Sequence, residues 1–401
     1  MQDFRQTKIN GDYDIIVVGG GIAGVAAAVA AARGGAKTLL IEKTVAFGGL
    51  ATIGLITWYE PLCDCHGKQM ISGIPEELLK LSIKYSFDDL SDEWKNGNKP
   101  TIGSVKMYAT HYSPSLFIMA LDEYLQKNNV HIRLDTMATY PVMHKNHCEG
   151  VVCESKSGKE FFGAKLVIDA TGDASVMYEA GVPCILGENY FSALAHGFQK
   201  EDAELYLQNG EMKSFSRWYS AGSNMRGEGQ GDHKLYHGDN ADEITEFMVE
   251  TRKAIFNRFR DTDRNSRDIV RVPMMPTFRT IRHIVGEYQF SGDDENIVFE
   301  DSVGSCGDFR QKGKDKRPKH YHIPYRCMYN KNFDNLLACG RIVHCDREGW
   351  EITRVIPVAA LTGEAAGTAA VLALRSETAV SDIDVQALQI ILKKNGVLFE
   401  K

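Results

Sequence analysis

The sequence predicts an α/β fold, a mainly parallel sheet covered by helices. Three stretches predict it: a strand, turn, helix, strand unit at 14–42, a buried strand running into small residues at 164–175, and a strand followed by an Ala/Gly-rich helix at 334–374. In the first stretch, Ile15, Ile16, Val17 and Val18 form the unbroken apolar run of a strand covered on both faces. Gly19, Gly21 and Gly24 follow in G-x-G-x-x-G spacing. The first permits a tight turn, the second lets backbone approach a pyrophosphate, and the third lets helix pack closely on strand. The helix start then offers its unpaired N–H groups to phosphate. Ala-rich residues 25–32 continue the helix, Gly34 and Gly35 can end it, and a second apolar strand at 38–41 leads to Glu42. Glu42 lies 18 positions past Gly24, where an acid accepts the ribose hydroxyls of a dinucleotide. All these parts in that order mark a Rossmann-like dinucleotide site.

At 401 residues the chain exceeds one typical core, so two domains, or one domain with an inserted lobe, are expected. Hydrophobic residues at 43 % and charged residues at 25 % are ordinary for a globular protein. A net charge of −7 argues against general affinity for nucleic acid or for an anionic membrane surface. The N-terminal residues 1–14 carry no apolar core segment, and the helix after Gly24 is too short to span a bilayer. Nine cysteines without a framework fit a reducing compartment, so a cytoplasmic location is expected.

After Glu42 come Lys43 and the loop 47–54, with Gly48 and Gly49 adjacent and Thr52 beyond them, suited to a flat ring lying against backbone. The glycine fingerprint, the Glu-Lys pair and the GGxxT loop together resemble the glutathione-reductase-type FAD fold. The segment PLCDCHGKQMISGIPEELL at 61–79 resembles one branch of it, the FAD-dependent oxidoreductase family distantly related to fumarate reductase flavoproteins and to the flavin subunit of heterodisulfide reductase. The resemblance implies FAD held at the first turn by Gly19, Gly21, Ile22, Ala23 and Gly24, and beside it by Glu42 and Lys43. It also implies contacts from Gly48, Gly49, Leu50, Ala51 and Thr52. Cys63, Cys65 and His66 lack a partner pair, so no metal site is expected.

Further along, 75–85 and 114–127 have helical spacing, and VHIRL at 130–134 reads as a strand. The segment 88–104 reads as loop. Short alternating stretches at 138–162 suit a small antiparallel meander. A strand over 166–168 then runs into Ala170, Thr171 and Gly172, which the resemblance implies touch the dinucleotide through backbone. Domain organisation is expected as a first cofactor segment at 1–185, an inserted α+β cap carrying substrate specificity at 186–330, and a returning cofactor segment at 331–401. Within the cap, a glycine-rich polar loop is expected at 221–240. A helix at 241–260 places Ile244, Phe247, Met248, Ile255 and Phe259 on one side. The family-like pattern R-x-x-R-H-I-V-G-E-Y reads as a strand, with Arg279, Ile281 and His283 on one face and Thr280, Arg282 and Ile284 on the other. The basic run 310–322 reads as a solvated loop.

The strand at 334–344 ends in Gly340 and Arg341. Many relatives of the resembled fold carry an Asp after that Gly, and here Arg341, able to pair a phosphate oxygen, stands instead. Arg354, Val355, Ile356 and Pro357 open the last Ala/Gly-rich helix, which the resemblance implies points at the flavin pyrimidine.

The expected function is an FAD-dependent oxidoreductase that passes a hydride between a small molecule, with a carboxylate-bearing one as a candidate, and the flavin. Acid–base candidates are His344, His283, Glu348 and His322, and carboxylate clamps are Arg279, Arg282 and Arg347. Other classes stay open. A flavin electron-transfer subunit would need clustered cysteines for iron–sulfur centres, which this chain lacks. A tRNA-modifying flavoprotein would want a basic surface. A non-redox nucleotide-binding protein built on the same fold is the remaining alternative, and NAD is the nearest rival cofactor.

Overall fold

The computed structural model describes residues 7–95, 107–212, 216–222, 234–311 and 316–400. Residues 96–104, 223–233 and 312–315, parts of the three expected polar loops, lie outside the described residues.

The fold is α/β and Rossmann-like. Strand β1 (Lys8–Val18) runs parallel to β2 (Thr38–Ile41) through pairs such as Ile15 with Thr38, and helix α1 (Ile22–Arg33) connects them. On the far side of β2 lies the strand His131–Arg133, also parallel. On the other side of β1 lies one long strand, Gly158–Asp169, and its two halves do different work. Its first half pairs antiparallel with His147–Ser155, which pairs in turn with Met137–His144. Its second half pairs parallel with Leu336–Ala338, so the returning chain closes the same sheet. The meander and the expected strand at 166–168 are therefore one continuous sheet. The antiparallel meander runs through Met137–His144, His147–Ser155 and the first half of Gly158–Asp169, as expected for 138–162, and its last strand also pairs with β1.

Helix α2 (Ile74–Ile83) follows Gly73, helix α3 (Pro114–Lys127) spans the expected range, and the closing helix Ile356–Ser376 lies against α1. The closing helix is long and apolar enough to cross a membrane, but 94 % of its most apolar window is buried inside the fold, as a core helix is. A Cβ on Gly363 would come 2.2 Å from Ala23 O and one on Gly367 2.2 Å from Ala27 O, so the two helices meet backbone to backbone.

The middle of the chain divides differently from the expected cap at 186–330. A three-stranded antiparallel sheet of Arg217–Gly222, Ser192–Gln199 and Arg267–Arg271 packs under the helix Ala241–Phe259. Ala193, Ala195, Tyr219, Ile255 and Phe259 form its own small core, and Tyr236, Phe247, Phe278 and Ile281 form another. By contrast Phe290, Val303, Cys306, Tyr321, Ile323, Tyr325 and Cys327 belong to the main core. The hairpin Ser302–Gly307 with His320–Pro324 lies against the closing helix, where a Cβ on Gly304 would meet Leu361 Cδ1 at 2.8 Å. The expected solvated loop at 310–322 stops short of His320, where the second strand begins with Tyr321 and His322 buried.

The strand expected at 279–284 is also shorter. Only Arg282–Ile284 is a strand, paired with Cys184–Leu186. The N–H groups of Arg279 and Thr280 donate instead to Asn189 Oδ1, at 2.8 and 3.1 Å, which takes them out of any ladder.

Candidate active site

Three strand ends converge where the chain turns at Gly19, Ala170 and Cys339: Gly19 N–H donates to Ile41 O (2.8 Å), Ala170 N–H to Val18 O (2.8 Å) and Cys339 N–H to Asp169 O (3.0 Å). A cavity of about 190 Å³ opens beyond these carboxyl ends, where open α/β sheets bind ligands. Gly19 holds φ +102° and a Cβ there would lie 2.4 Å from Ala170 O, so only glycine makes the turn. A Cβ on Gly21 would meet nothing within 4 Å, which means that its backbone borders open space. Helix α1 begins at Gly21 with no side-chain cap, leaving first-turn N–H groups for a ligand.

The 47–54 loop is stitched to this turn. Gly48 N–H donates to Gly20 O (2.8 Å), and Thr52 Oγ1 donates to Phe47 O (2.7 Å). Glu42 accepts from Gly20 N–H through one oxygen and from Thr44 N–H through the other, both at 2.7 Å, so its carboxylate is fixed at the cavity edge. Asp169 braces the opposite edge, accepting from the Thr171 hydroxyl (2.6 Å) and from Met177 N–H (2.9 Å), while burial pushes its carboxyl up to about 6.

Of the residues expected around the cofactor, all but Gly24, Thr52 and Val355 line this cavity. Gly24 serves packing, since a Cβ there would lie 1.8 Å from Gly19 O. Thr52 locks the loop, and Val355 is the buried residue preceding the closing helix. Arg341 donates to two backbone carbonyls, Gly172 O (2.5 Å) and Phe278 O (2.6 Å), tying the Ala170–Thr171–Gly172 turn to the cap. The wall also includes Ile244, Met275, Pro276 and Ile281, for which no local pattern signals a place there. An uncapped helix start, glycine backbone and a fixed acid fit a dinucleotide such as FAD.

A second cavity, of about 360 Å³, lies across segment 275–281: Met275, Pro276 and Ile281 line the first cavity, and Thr277, Arg279 and Thr280 line the second. His283, Cys345, Asp346 and Trp350 contribute further walls. Asn189 fixes this segment by accepting from Arg279 and Thr280 N–H and by donating to Thr280 O (2.5 Å). Among the described residues the Arg279 guanidinium has no hydrogen bond or ion pair. Burial, with Arg354 nearby, lowers its pKa to about 10, so it stays charged at neutral pH. His283 stacks on His344 with ring centroids 6.3 Å apart, and its Nδ1 is buried without a hydrogen-bond partner. Burial holds the His283 imidazole neutral down to about pH 4.

Arg347, the third expected clamp, also lines the second cavity, and the remaining catalytic candidates are placed elsewhere. Arg282 faces Asp239 at 3.7 Å and covers the Tyr178 ring, so its charge is met within the protein. Glu348 is 62 % exposed and pairs with Arg310, because its helix turns it to solvent. His344 sits behind His283, its Nδ1 3.1 Å from Gly286 O. His322 is buried beside Ser302, lining neither cavity.

One group escaped sequence reading. Glu60 ends the short strand Trp58–Tyr59 and accepts from Ile356 N–H (3.1 Å) at the start of the closing helix. Burial pushes its carboxyl up to about 7, against the pull of Arg354 and Arg279. An acid directly after the apolar ITWY run was the only available signal.

Set beside known proteins, the chain matches the family described as FAD dependent oxidoreductase over residues 14–225 and 198–392. It is 28 % identical over 171 residues to a thioredoxin reductase of Bacillus subtilis, a match that covers 42 % of this chain and 49 % of that protein. The chain thus spans about half the length of the curated relative it matches. Among solved structures, a geranylgeranyl bacteriochlorophyll reductase-like protein from Thermoplasma acidophilum aligns with a TM-score of 0.51 at 15 % identity. That alignment covers 96 % of this chain and 84 % of that one, and it shows a shared fold.

Proposed function

This chain belongs to the FAD dependent oxidoreductase family, and from that premise we propose that it oxidises or reduces a small molecule bearing a carboxylate or similar anion, held in the 360 Å³ cavity by Arg279. The observation that carries this reading is the Arg279 guanidinium: charged, largely withdrawn from water, clamped through its backbone by Asn189, and without a protein acid bonded to it. A cation so placed is stabilised by an incoming anion.

Bound FAD supplies the two-electron donor or acceptor. The protein's residues do the rest. The glycine turn at Gly19 and Gly21, the uncapped start of α1, Glu42 and the 48–51 loop hold the dinucleotide. Arg279 orients the substrate anion, and the Thr280 and Ser192 hydroxyls line the same cavity. His283, neutral at physiological pH, accepts the proton released when a C–H or N–H bond is oxidised, and returns it in the reverse direction. Glu60, with its raised pKa and its bond to Ile356 N–H at the start of the closing helix, is a second proton-holding group.

The cytoplasm is the compartment we propose, supported by nine cysteines that are all free. The net charge of −7 supports a small-molecule partner rather than nucleic acid or an anionic membrane. The test is the visible spectrum of the purified protein followed by anaerobic titration with hydroxy acids, amino acids, amines and sugars. Flavin bands bleached by carboxylate-bearing donors are expected. A flavin bleached only by uncharged donors would overturn the substrate assignment and leave the family assignment intact.

A further inference from the structure

The sequence pair Cys63 and Cys65 lines neither cavity. Its geometry has a different use. The pair lies in the loop between Trp58–Tyr59 and α2, with Cys63 1 % and Cys65 0 % exposed. Asp64 pins the turn, accepting from His66 N–H (2.8 Å) and Lys68 N–H (3.0 Å) and facing His320 Nε2 at 3.1 Å. Cys65 adopts φ 62°, a left-handed conformation uncommon for a non-glycine residue. That twist brings Cys65 N–H onto Cys63 Sγ at 3.3 Å. Cys65 Sγ donates to Phe309 O at 3.8 Å.

A backbone N–H on the sulfur favours negative charge at Cys63. The Cys65 thiol draws the Cys63 thiol below its ordinary range despite burial and the neighbouring Asp64, and Cys65 in turn is held up, with Asp64 and Asp308 adding to the effect. The other titratable groups facing the loop are His66 and His320.

We propose that Cys63 and Cys65 form an oxidation site, in which a hydroperoxide oxidises the Cys63 sulfur and Cys65 closes the disulfide. The Cys63 thiolate attacks the peroxide O–O bond, and with one proton yields a sulfenic acid and an alcohol, or water from hydrogen peroxide. The Cys65 sulfur then displaces water from that sulfenic acid, forming the S–S bond. Two thiols and one peroxide thus become one disulfide and two hydroxylic products, with the two electrons lost by sulfur reducing peroxide oxygen. Hydrogen peroxide, little larger than water, is the hydroperoxide suited to so buried a pair.

The test uses the flavin-loaded protein treated with hydrogen peroxide, then quenched, denatured, alkylated and digested with trypsin. Peptide 44–68 contains both cysteines and no other. It should lose both alkylation sites and the mass of two hydrogens, and regain them with dithiothreitol, while the other cysteines remain alkylated. In C65S, dimedone should label Cys63 at least about tenfold more than it labels Cys65 in C63S. A peptide that stays fully alkylated under peroxide doses that oxidise free thiols would overturn the proposal. So would a C63S protein whose Cys65 is labelled as readily as Cys63 in C65S. The wild-type arm stands even where a variant fails to fold.

Discussion

At the glycine turn the first cavity is bordered by backbone. Gly21 presents a bare main chain, Gly48 N–H is tied to Gly20 O, and Glu42 is pinned by two N–H groups before any ligand arrives. Across segment 275–281 the second cavity is walled by side chains, Arg279, Thr280, His283 and Trp350, and Asn189 pins the backbone of Arg279 and Thr280 from about 90 positions away. A backbone surface is set by the fold and recognises what all bearers of one cofactor share. A side-chain surface can be rewritten residue by residue, which suits the component that differs from enzyme to enzyme.

Four substitutions would break or sharpen that contrast, the largest effect coming from the helix contact that carries the backbone surface. Gly363→Val puts branched carbon where a Cβ alone would stand 2.2 Å from Ala23 O, and backbone cannot retreat from both sides. A loss exceeding about 3 kcal/mol is expected, read as insoluble protein or a collapsed denaturation midpoint. Gly21→Val separates binding from folding. Its φ of −65° and ψ of 176° suit valine, and nothing lies within 4 Å of the new Cβ. Flavin content should fall at least about tenfold while stability of the flavin-free protein stays within about 0.5 kcal/mol, by absorbance ratio and thermal melt. A G21V protein that retains its flavin would show that the cavity edge is not where the dinucleotide passes.

Arg279→Gln addresses the side-chain wall. Flavin content should be unchanged, and the affinity for carboxylate-bearing ligands, followed by perturbation of the flavin spectrum, should drop about 10- to 100-fold, as for a lost charge-assisted hydrogen bond. Equal loss for uncharged ligands would mean that Arg279 shapes the cavity rather than reading charge.

The last, and the smallest per pH unit, is a pH dependence at Glu364 on the closing helix. Glu364 accepts from Ile74 N–H (2.8 Å), and burial raises its carboxyl from 4.5 to about 8. Between those values the folded chain keeps a proton that the unfolded chain has released. Its contribution to stability is therefore complete below the unfolded pKa and is lost as pH rises toward 8, with a slope approaching about 1.4 kcal/mol per pH unit. Glu364→Gln should flatten that slope in thermal melts across the same window, and an unchanged slope would assign the titration to another group.

How far the sequence could be read follows the same contrast. Helix α3 spans 114–127 and β2 spans 38–41 as expected, because apolar periodicity and flanking turn residues are local signals. The glycine turn was legible because conformational demand is written into one residue type. Arg279 and His283 were legible as candidates, but Arg282 and Glu348 looked equally good. What separates them is Asp239 on one side and Arg310 on the other, partners that no spacing rule reveals. Asn189 and Glu60 left almost no trace, since their importance lies in bonds to residues 90 and 296 positions away. The expected cap ran to 330 on charge density, whereas the strands Ser302–Gly307 and His320–Pro324 contribute buried residues to the main core.

The interlock of α1 with the closing helix has one more consequence. Gly363 and Gly367 seat the closing helix on the carbonyls of Ala23 and Ala27, so neither rod can slide along or rotate about the other without a backbone collision. Their starts, near Gly21 and Ile356, both border the first cavity. The interlock therefore works as a caliper locked at folding. The opening it measures is the same whatever the cap does, and adjustment during turnover is left to the segments that hang from the jaws.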